Sequence, residues 1–288
     1  MNEWKMRRDM PPLNDEERRV LVESGTEEAG SGIYNDFFRD GLYVCRQCGA
    51  PLYKSEDKFK TGCGWPGFDD AIAGAVERRP DLDRPWTEIL CANCGGHLGH
   101  VFEGEGFTPK NTRHCVNSLS IAHIAIESAI FAGGCFWGVE EAFRHTEGVL
   151  LTRAGYTGGI VKNPSYRDVR SGNTGHAEAV KVDFDPEIID FRKLLRLFFE
   201  IHDPSQLDGQ GPDKGHQYRS AVFYIDDGQR NIAEETISQL RSKDINVVTE
   251  LKPAADFYPA EDYHQDYFGK NPEKLPESCH VRREIDWD

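Results

Sequence analysis

Eight cysteines carry most of the chemistry of this 288-residue chain, and four of them stand in two matched motifs. Cys45 and Cys48 form one C-x-x-C-G knuckle, and Cys91 and Cys94 form the other. Each knuckle turns tightly, so its two thiolates can reach one ion, and two knuckles supply the four thiolates of a tetrahedral zinc site. The alternative is a redox-active C-x-x-C, but that motif is normally single and opens a helix. We therefore predict one structural zinc ion per chain.

The other four cysteines are Cys63, Cys115, Cys135 and Cys279, two in each half of the chain. This distribution suggests two pairs of a nucleophilic and a resolving thiol, although free cysteines are also common as small buried hydrophobic residues. Cys135 follows two glycines and opens a helix predicted over 136–144, where the helix dipole favours a thiolate. The sequence around these thiols therefore favours the reactive interpretation.

Two aromatic residues, Phe136 and Trp137, directly follow Cys135 in the motif Gly-Cys-Phe-Trp-Gly. Aromatic walls beside a nucleophile suit an apolar sulfur group such as a methylthio group. Further along, Glu178 stands at the mouth of an apolar strand predicted over 179–184. Burial there keeps a carboxyl group neutral and able to donate a proton.

The first half offers a second thiol with cationic neighbours, because Cys115 follows Arg113 and His114. Positive neighbours favour the thiolate. Upstream, His97 and His100 stand three residues apart. Since four cysteines already complete the predicted metal site, a proton donor or an anchor for a substrate oxygen suits these histidines better than a ligand role.

Two loops leave alternatives open. Trp65 follows Cys63 in a Gly- and Pro-rich loop, where it either lines a site or packs in the core. The Gly- and Asp-rich loop over 203–216 either directs Asp213 and Tyr218 towards the second site or is a solvated turn.

The elements that position these residues differ between the halves. Residues 14–23 predict a short helix with Asn14 and Glu17 as a capping box. Short runs separated by Gly, Pro and Cys follow, and they predict a mainly β, zinc-containing domain over 1–124. Over 125–288, strands and helices interleave as in an α/β ferredoxin-like sheet. The further elements predicted there are strands over 129–132, 149–156, 220–225 and 247–251 and helices over 191–201 and 229–243.

Composition excludes several classes of protein. The apolar fraction of 38% is too high for a disordered chain, and no apolar run approaches the roughly 20 residues of a membrane span. The net charge of -15 disfavours nucleic acid as a partner. The charged N-terminus lacks a secretory h-region, so we expect a cytoplasmic protein. A zinc-ribbon interaction module joined to a disulfide oxidoreductase remains the alternative function, with a nucleic-acid zinc ribbon third.

Residues from about 10 to 123 resemble B-type methionine sulfoxide reductase, and residues from about 127 to 282 resemble the A-type enzyme. The first resemblance rests on both knuckles, Gly-Trp-Pro, His-Leu-Gly-His-Val-Phe and Arg-His-Cys-Val-Asn-Ser. The second rests on Gly-Cys-Phe-Trp-Gly, Gly-Tyr-Thr-Gly-Gly, Gly-His-Ala-Glu-Ala-Val, Gln-Tyr-Arg-Ser-Ala and the tract over 257–267.

The resemblance implies that the A-type domain reduces the S epimer of protein or peptide methionine sulfoxide and the B-type domain the R epimer. It implies Cys135 and Cys115 as nucleophiles, with Cys279 and Cys63 as their resolving thiols and Glu178 as a proton donor. The residues implied to orient or polarise the oxygen in the A-type domain are Tyr166, Asp213 and Tyr218. Those implied to hold the methyl group are Phe136 and Trp137 in that domain and Trp65 in the other. The B-type oxygen side is implied to comprise His97, His100, Arg113 and Asn117, with Phe102 packing nearby.

The implied chemistry is thiolate attack on the sulfoxide sulfur, formation of a sulfenic acid and its condensation to a disulfide that thioredoxin reduces. No organic cofactor, nucleic acid or membrane is implied.

The chain departs from the two families at several positions. Gly67 replaces a serine, His114 replaces a common aromatic residue, and Glu103 and Glu105 alternate with glycines where the B-type enzymes have Asp-Gly. The acidic residue of the B-type site is therefore not assigned from the sequence. Cys279 is the single cysteine of the C-terminal stretch, so we expect its disulfide with Cys135 to be the one presented to thioredoxin.

Overall fold

The structure, a computed structural model, describes residues 10–276 and 282–287. The chain divides into two compact units, Met1–Ile126 and Glu127–Asp288. Within the described ranges, no helix combines the length and the apolar content that a membrane crossing requires.

The N-terminal unit is mainly β, as predicted. Its elements are α1 (Asp15–Leu21), β1 (Leu42–Cys45), β2 (Pro51–Lys54), β3 (Lys58–Phe59), β4 (Gly67–Phe68), β5 (Val76–Pro80), β6 (Thr87–Cys91), β7 (His97–Glu103), β8 (Thr112–Val116) and β9 (Ile121–Ile124). They form an antiparallel three-stranded sheet in the order β2-β1-β9 and an antiparallel six-stranded sheet in the order β3-β4-β8-β7-β6-β5.

Helix α1 begins at the predicted cap. The Asn14 side chain accepts the N–H of Glu17 at 2.9 Å, and the Glu17 carboxylate accepts the N–H of Asn14 at 2.9 Å. This reciprocal pairing satisfies two N–H groups that a helix start otherwise leaves open. Aromatic side chains fill the core of the unit, where the rings of Tyr53 and Phe68 stack 4.3 Å apart and are fully buried.

The C-terminal unit is an α/β sheet. Its elements are β10 (Glu127–Gly133), α2 (Phe136–Arg144), β11 (Val149–Thr157), α3 (Tyr166–Arg170), β12 (Ala177–Phe184), α4 (Phe191–Ile201), β13 (Gly209–Gln210), β14 (Asp213–Lys214), β15 (Ser220–Tyr224), α5 (Asp227–Ser242), β16 (Glu250–Pro253), β17 (Tyr258–Pro259) and α6 (Tyr267–Lys270). The sheet order is β16-β15-β10-β12-β11-β17. Its central order, β15-β10-β12-β11, with helices after β10 and β12, is the predicted ferredoxin-like arrangement.

The two amphipathic helices α2 and α4 have the predicted bounds, because their apolar residues recur at helical spacing and pack on one face of the sheet. Phe131 on β10 stacks against Phe143 of α2 at 5.0 Å and Phe198 of α4 at 5.1 Å. The strand predicted over 247–251 is shifted, since β16 begins at Glu250. The N–H of Val248 instead donates to the carbonyl of Pro204 in a loop, at 2.8 Å.

Candidate active sites and a candidate metal centre

The two knuckles meet at one point of the N-terminal unit. Cys45 ends β1 and Cys91 ends β6, and the Sγ pairs Cys45–Cys94 and Cys48–Cys91 are each 3.6 Å apart. All four Sγ atoms lie within 4.8 Å of one another. The glycine after each knuckle has a φ of +71° or +73°, a conformation that glycine adopts without strain. Tetrahedral zinc with sulfur ligands at about 2.3 Å needs sulfur separations of about 3.8 Å, so the four thiols fit this ion.

The predicted thiol pair of the same unit is assembled in the structure. Cys115 lies on β8 and Cys63 on the loop before β4, and their Sγ atoms are 3.7 Å apart. Both line a cavity of about 200 Å³. The full lining is Thr26, Cys63, Trp65, Arg84, Trp86, Gly99, His100, Phe102, Arg113, Cys115 and Asn117.

The charges of the two thiols are unequal. The hydrogen bond with Cys115 is the main cause that lowers the pKa of Cys63 to about 5, and the Arg113 guanidinium, 3.6 Å from the Cys63 sulfur, acts in the same direction. The same bond and burial raise the pKa of Cys115. These opposite directions have one common cause, the hydrogen bond that the two thiols share. Attack by Cys115 requires its proton to move to Cys63 or to the substrate.

An unpredicted carboxylate, Glu105, fixes Arg113. Its two oxygens accept hydrogen bonds from Arg113 at 2.7 and 2.9 Å, and the guanidinium also lies 4.5 Å from the ring centre of Phe102. Bidentate pairs of this kind hold both position and orientation. Of the two acids that alternate with glycines, Glu103 instead bonds Arg78 at 2.8 Å.

The two predicted histidines occupy different places. His100 lines the cavity, and its Nε2 lies 2.7 Å from the carboxylate of Asp81. His97 is not among the residues that line the cavity. It is 3% exposed, and its Nδ1 lies 2.6 Å from the carboxylate of Glu88. Burial lowers the pKa of His97.

His114 does not support Cys115 electrostatically, contrary to the prediction from their adjacency. Side chains alternate across a strand, so the two neighbours on β8 face opposite sides. His114 lies between the hydroxyl of Tyr53 and the guanidinium of Arg78, each 3.1 Å from a ring nitrogen. Burial is the main cause that lowers its pKa to about 4, so this ring is neutral at pH 7.

The aromatic wall of this cavity is larger than predicted. Trp65 lines the cavity, which is one of the two alternatives stated for it in the sequence analysis. Trp86 and Arg84 also line the cavity and were not predicted. Arg84 sits 5.1 Å from the ring centre of Trp86. Asn117 also lines the cavity, but its side chain is engaged at both ends, accepting the N–H of Glu27 at 3.0 Å and donating to a carbonyl at 3.1 Å.

The C-terminal unit places Cys135 at the N-cap of α2, directly after β10. The turn depends on Gly134, which has a φ of +97° and whose hydrogen faces Gln210 where a Cβ would approach to 2.6 Å. Cys135 lines a groove of about 490 Å³ together with Trp137 and Asp213. The loop that carries Asp213 thus borders the groove.

Glu178 lies on β12 and is 2% exposed. Its Oε2 accepts the N–H of Phe136 at 3.2 Å. Burial is the main cause that raises its pKa to about 8, with a contribution from the charge of Asp213. The carboxyl group of Glu178, which is bonded to the residue after Cys135, is therefore protonated at pH 7.

The pKa values of the two predicted tyrosines are shifted by the same neighbouring groups. Burial first and then the charge of Glu178 raise the pKa of both Tyr166 and Tyr218, and Cys135 adds to the effect. Tyr166 is the first residue of α3, and its N–H donates to the carboxylate of Glu261 at 2.9 Å. Glu261 was not predicted, although it belongs to the tract over 257–267 that resembles the A-type enzyme.

The two aromatic residues after Cys135 have different environments. Phe136 is 1% exposed, whereas Trp137 lines the groove. The indole N–H of Trp137 donates to Nδ1 of His264 at 3.0 Å, and its ring stacks on Tyr267 at 3.7 Å and 6°. Both partners also belong to the tract over 257–267. The predicted resolving thiol of this unit, Cys279, lies outside the described residues.

Comparison with known proteins matches both units. A family model described as peptide methionine sulfoxide reductase matches residues 127–286, and a model described as the SelR domain matches residues 13–125. A protein of Methanothermobacter thermautotrophicus named peptide methionine sulfoxide reductase MsrA is 50% identical over 161 residues, which are 54% of this chain and 93% of that protein. Its counterpart from Pasteurella multocida is 50% identical over 148 residues, covering 51% of this chain and 85% of the relative. Among solved structures, the reduced form of Mxr1 from Saccharomyces cerevisiae has a TM-score of 0.52 and 34% identity and covers 55% of this chain and 93% of Mxr1.

Proposed function

Because the chain belongs to the peptide methionine sulfoxide reductase family over residues 127–286 and carries a SelR domain over 13–125, it is an oxidoreductase that reduces both epimers of methionine sulfoxide, and we propose which residues do so. Cys135 reduces the S epimer and Cys115 the R epimer. The observation that carries the proposal is the buried carboxyl group of Glu178, which accepts a hydrogen bond from the residue that follows Cys135.

In the C-terminal domain the sulfoxide sulfur is attacked by the Cys135 thiolate, which the N-terminus of α2 stabilises. The attack joins the Cys135 sulfur to the substrate sulfur. The protonated oxygen then moves to the Cys135 sulfur as that sulfur–sulfur bond and the substrate S–O bond break. Methionine leaves, and the cysteine becomes a sulfenic acid. The oxygen gains electron density during this transfer, so Glu178 assists by donating its proton. Tyr166, Tyr218 and Asp213 orient the oxygen.

The apolar end of the substrate needs a separate surface. Trp137 lines the groove beside Cys135, and its indole is held on one side by Tyr267 and at its N–H by His264. An aromatic face fixed in this way packs against a methyl group next to sulfur. Phe136 is buried beneath it and supports the site from the core.

In the N-terminal domain Cys115 attacks in the same way. Cys63 then condenses with the sulfenic acid, forming a disulfide and releasing water. The sulfur separation of 3.7 Å means that little movement is needed to close this bond. Trp65 packs against the methyl group, and His100, Arg113 and Asn117 line the oxygen side, with His97 behind them.

Each disulfide must be reduced before another turnover. A dithiol protein of the thioredoxin type does this by thiol–disulfide exchange, at Cys63–Cys115 in one domain and at Cys135–Cys279 in the other. Such exchange requires a reducing compartment, which supports a cytoplasmic location. The substrate is an oxidised methionine in a protein or peptide, and the reaction repairs oxidative damage.

The four knuckle cysteines hold a zinc ion with a structural role. Four protein ligands leave no open coordination position, so the ion stabilises the fold and the thiols of the active site carry out the reaction. A zinc ion held by these cysteines would link the end of β1 to the end of β6, which belong to different sheets of the N-terminal domain.

The decisive experiment offers each separated epimer to three proteins: the whole chain, Cys115→Ser and Cys135→Ser. We expect Cys115→Ser to lose only R-epimer reduction and Cys135→Ser only S-epimer reduction. Loss of both activities in either variant would contradict the two-site assignment. Turnover of a disulfide substrate serves as the comparison, and a preference for it would favour a disulfide oxidoreductase instead.

A further inference from the structure

Two buried carboxyl groups are associated with helix α2. One is Glu178 of β12, which bonds the N–H of Phe136, and the chemistry proposed above does not use the other. The second is Glu140, which lies in the middle of the helix, five residues after Cys135, and is 2% exposed. Burial raises its pKa to about 7. A carboxyl group kept at such a depth is costly unless its oxygens are hydrogen-bonded.

Both oxygens of Glu140 have donors. Oε2 accepts the backbone N–H of Asp266 at 2.9 Å, and Oε1 accepts the hydroxyl of Thr152 on β11 at 3.2 Å. The first of these bonds crosses from α2 to the tract over 257–267. The tract over 257–267 resembles the A-type enzyme, but its backbone has so far no role in the proposed site.

Asp266 has a conformation that needs support. Its φ of +50° and ψ of +46° place a non-glycine residue in the left-handed region, which is sparsely populated and persists where the surroundings fix it. Two residues of α2 hold it: Glu140 at its N–H and Arg144 at its carboxylate, where Nε and Oδ1 are 3.0 Å apart. The turn is therefore set by one face of α2.

The residue that follows this turn is Tyr267, which stacks on Trp137 at 3.7 Å. Trp137 precedes Glu140 by three residues, so the two side chains project from neighbouring positions on α2. These contacts form a closed circuit. Trp137 stacks on Tyr267, which follows Asp266 in the chain. The N–H of Asp266 in turn donates to Glu140, on the same helix as Trp137.

We propose that Glu140 is a positioning residue for the methyl-binding wall of the S-epimer site. It fixes the left-handed turn at Asp266, and through that turn it holds Tyr267 flat against Trp137. The inference rests on the proposed role of Trp137 and deepens it. A wall that contacts the methyl group equally before and during the reaction contributes to binding rather than to the chemical step.

The test measures single turnovers of the S epimer in the whole chain over a range of substrate concentrations. For Glu140→Ala we expect the half-saturating concentration to rise roughly tenfold, while the maximal rate stays within about twofold. Glu140→Gln should behave as the parent protein, because its amide can accept from Asp266 and donate to Thr152. The matched control is Glu234→Ala on α5, whose exposed carboxylate pairs with Arg230 and contacts none of these residues.

Two further variants keep the outcome decisive. Glu140→Asp retains the charge but is one methylene shorter, so it serves if Glu140→Ala does not fold and should also raise the half-saturating concentration. In a Trp137→Ala background, Glu140→Ala should add little, because its route to the substrate is already lost. Unchanged half-saturation in both Glu140→Ala and Glu140→Asp would overturn the inference, as would additive effects with Trp137→Ala. S-epimer reduction persisting in Cys135→Ser would instead overturn the proposed function.

Discussion

The Oε2 atom of Glu178 accepts the backbone N–H of Phe136 at 3.2 Å, and this bond ties a buried carboxyl group to the first turn of the helix that Cys135 caps. One N-terminal N–H is thus used to place an acid, while the helix start acts on the thiol. Burial outweighs the bond and keeps the pKa of Glu178 above neutrality, at about 8. The start of α2 thus bonds the carboxyl group proposed as the acid and carries the thiol proposed as the nucleophile.

Replacement of this acid should slow the chemistry without unfolding the domain. Glu178→Gln keeps the acceptor for Phe136 and the shape of the side chain but has no proton to give. General acid catalysis contributes about 10²–10⁴-fold, so the single-turnover rate on the S epimer should fall by that factor. R-epimer reduction serves as the internal control and should not change. An unchanged S-epimer rate would assign the proton to Tyr166 or Tyr218.

The pH dependence should identify the same proton. Glu178 is protonated below a pKa of about 8, so the acid is present at neutral pH and is lost as the pH rises through that value. Titration of Cys135 occurs in both the parent protein and Glu178→Gln, so the ratio of their S-epimer rates isolates the carboxyl group. We expect this ratio to be constant near pH 6–7 and to fall about tenfold per pH unit well above the pKa. A ratio that does not change with pH would contradict the assignment.

Local sequence patterns predicted the elements that position the thiols. The helix over 136–144 and the helix over 191–201 were predicted with their observed bounds, because both are rich in apolar residues at helical spacing. The strand near 250 was misplaced, since Val247 and Val248 look like strand residues but lie in a loop, where Val247 is buried and Val248 partly buried. The apolar character of these valines indicates burial. Whether they form a strand depends on a neighbouring strand to pair with.

The missed residues of the sites share one physical feature, which is a partner that the local sequence pattern does not identify. Glu105 is one of several acids in a glycine-rich stretch, and nothing local shows that it rather than Glu103 meets Arg113. His114 shows the opposite error, because adjacency in sequence predicted a contact that strand alternation prevents. Glu140 lies in a helix with a second glutamate beside it, and only the fold shows which of the two is buried.

The metal prediction rests on the sulfur separations of 3.6 Å in the four-thiol cluster. Metal analysis of the purified chain should give one zinc per molecule. Cys45→Ser should lose the ion and unfold the N-terminal domain, so that R-epimer reduction disappears while S-epimer reduction remains. Cys115→Ser, which changes a cysteine outside the cluster, is the control and should retain its zinc. A folded, zinc-free parent protein would contradict the prediction.

The recycling prediction concerns Cys279, which lies outside the described residues. If its thiol resolves the sulfenic acid on Cys135, Cys279→Ser should complete a first turnover on the S epimer at the normal rate and then stop in a thioredoxin-coupled assay. R-epimer recycling through Cys63 should continue in the same sample. Normal steady-state S-epimer reduction in the variant would mean that thioredoxin or another thiol attacks the sulfenic acid.

The last prediction concerns the pair Glu105 and Arg113. Arg113 lies 3.6 Å from the Cys63 sulfur, and the bidentate carboxylate of Glu105 fixes the direction in which its guanidinium points. Removing the carboxylate leaves the positive charge but frees its orientation, and misplacement of a positioning group on this scale costs about 10- to 100-fold. Glu105→Ala should therefore slow R-epimer reduction by about that factor and leave S-epimer reduction unchanged. Glu103→Ala is the matched control, because Glu103 lies two residues before Glu105 and its carboxylate pairs with the exposed Arg78 instead. Equal R-epimer rates in the two variants would show that Arg113 needs no carboxylate to act on the thiols.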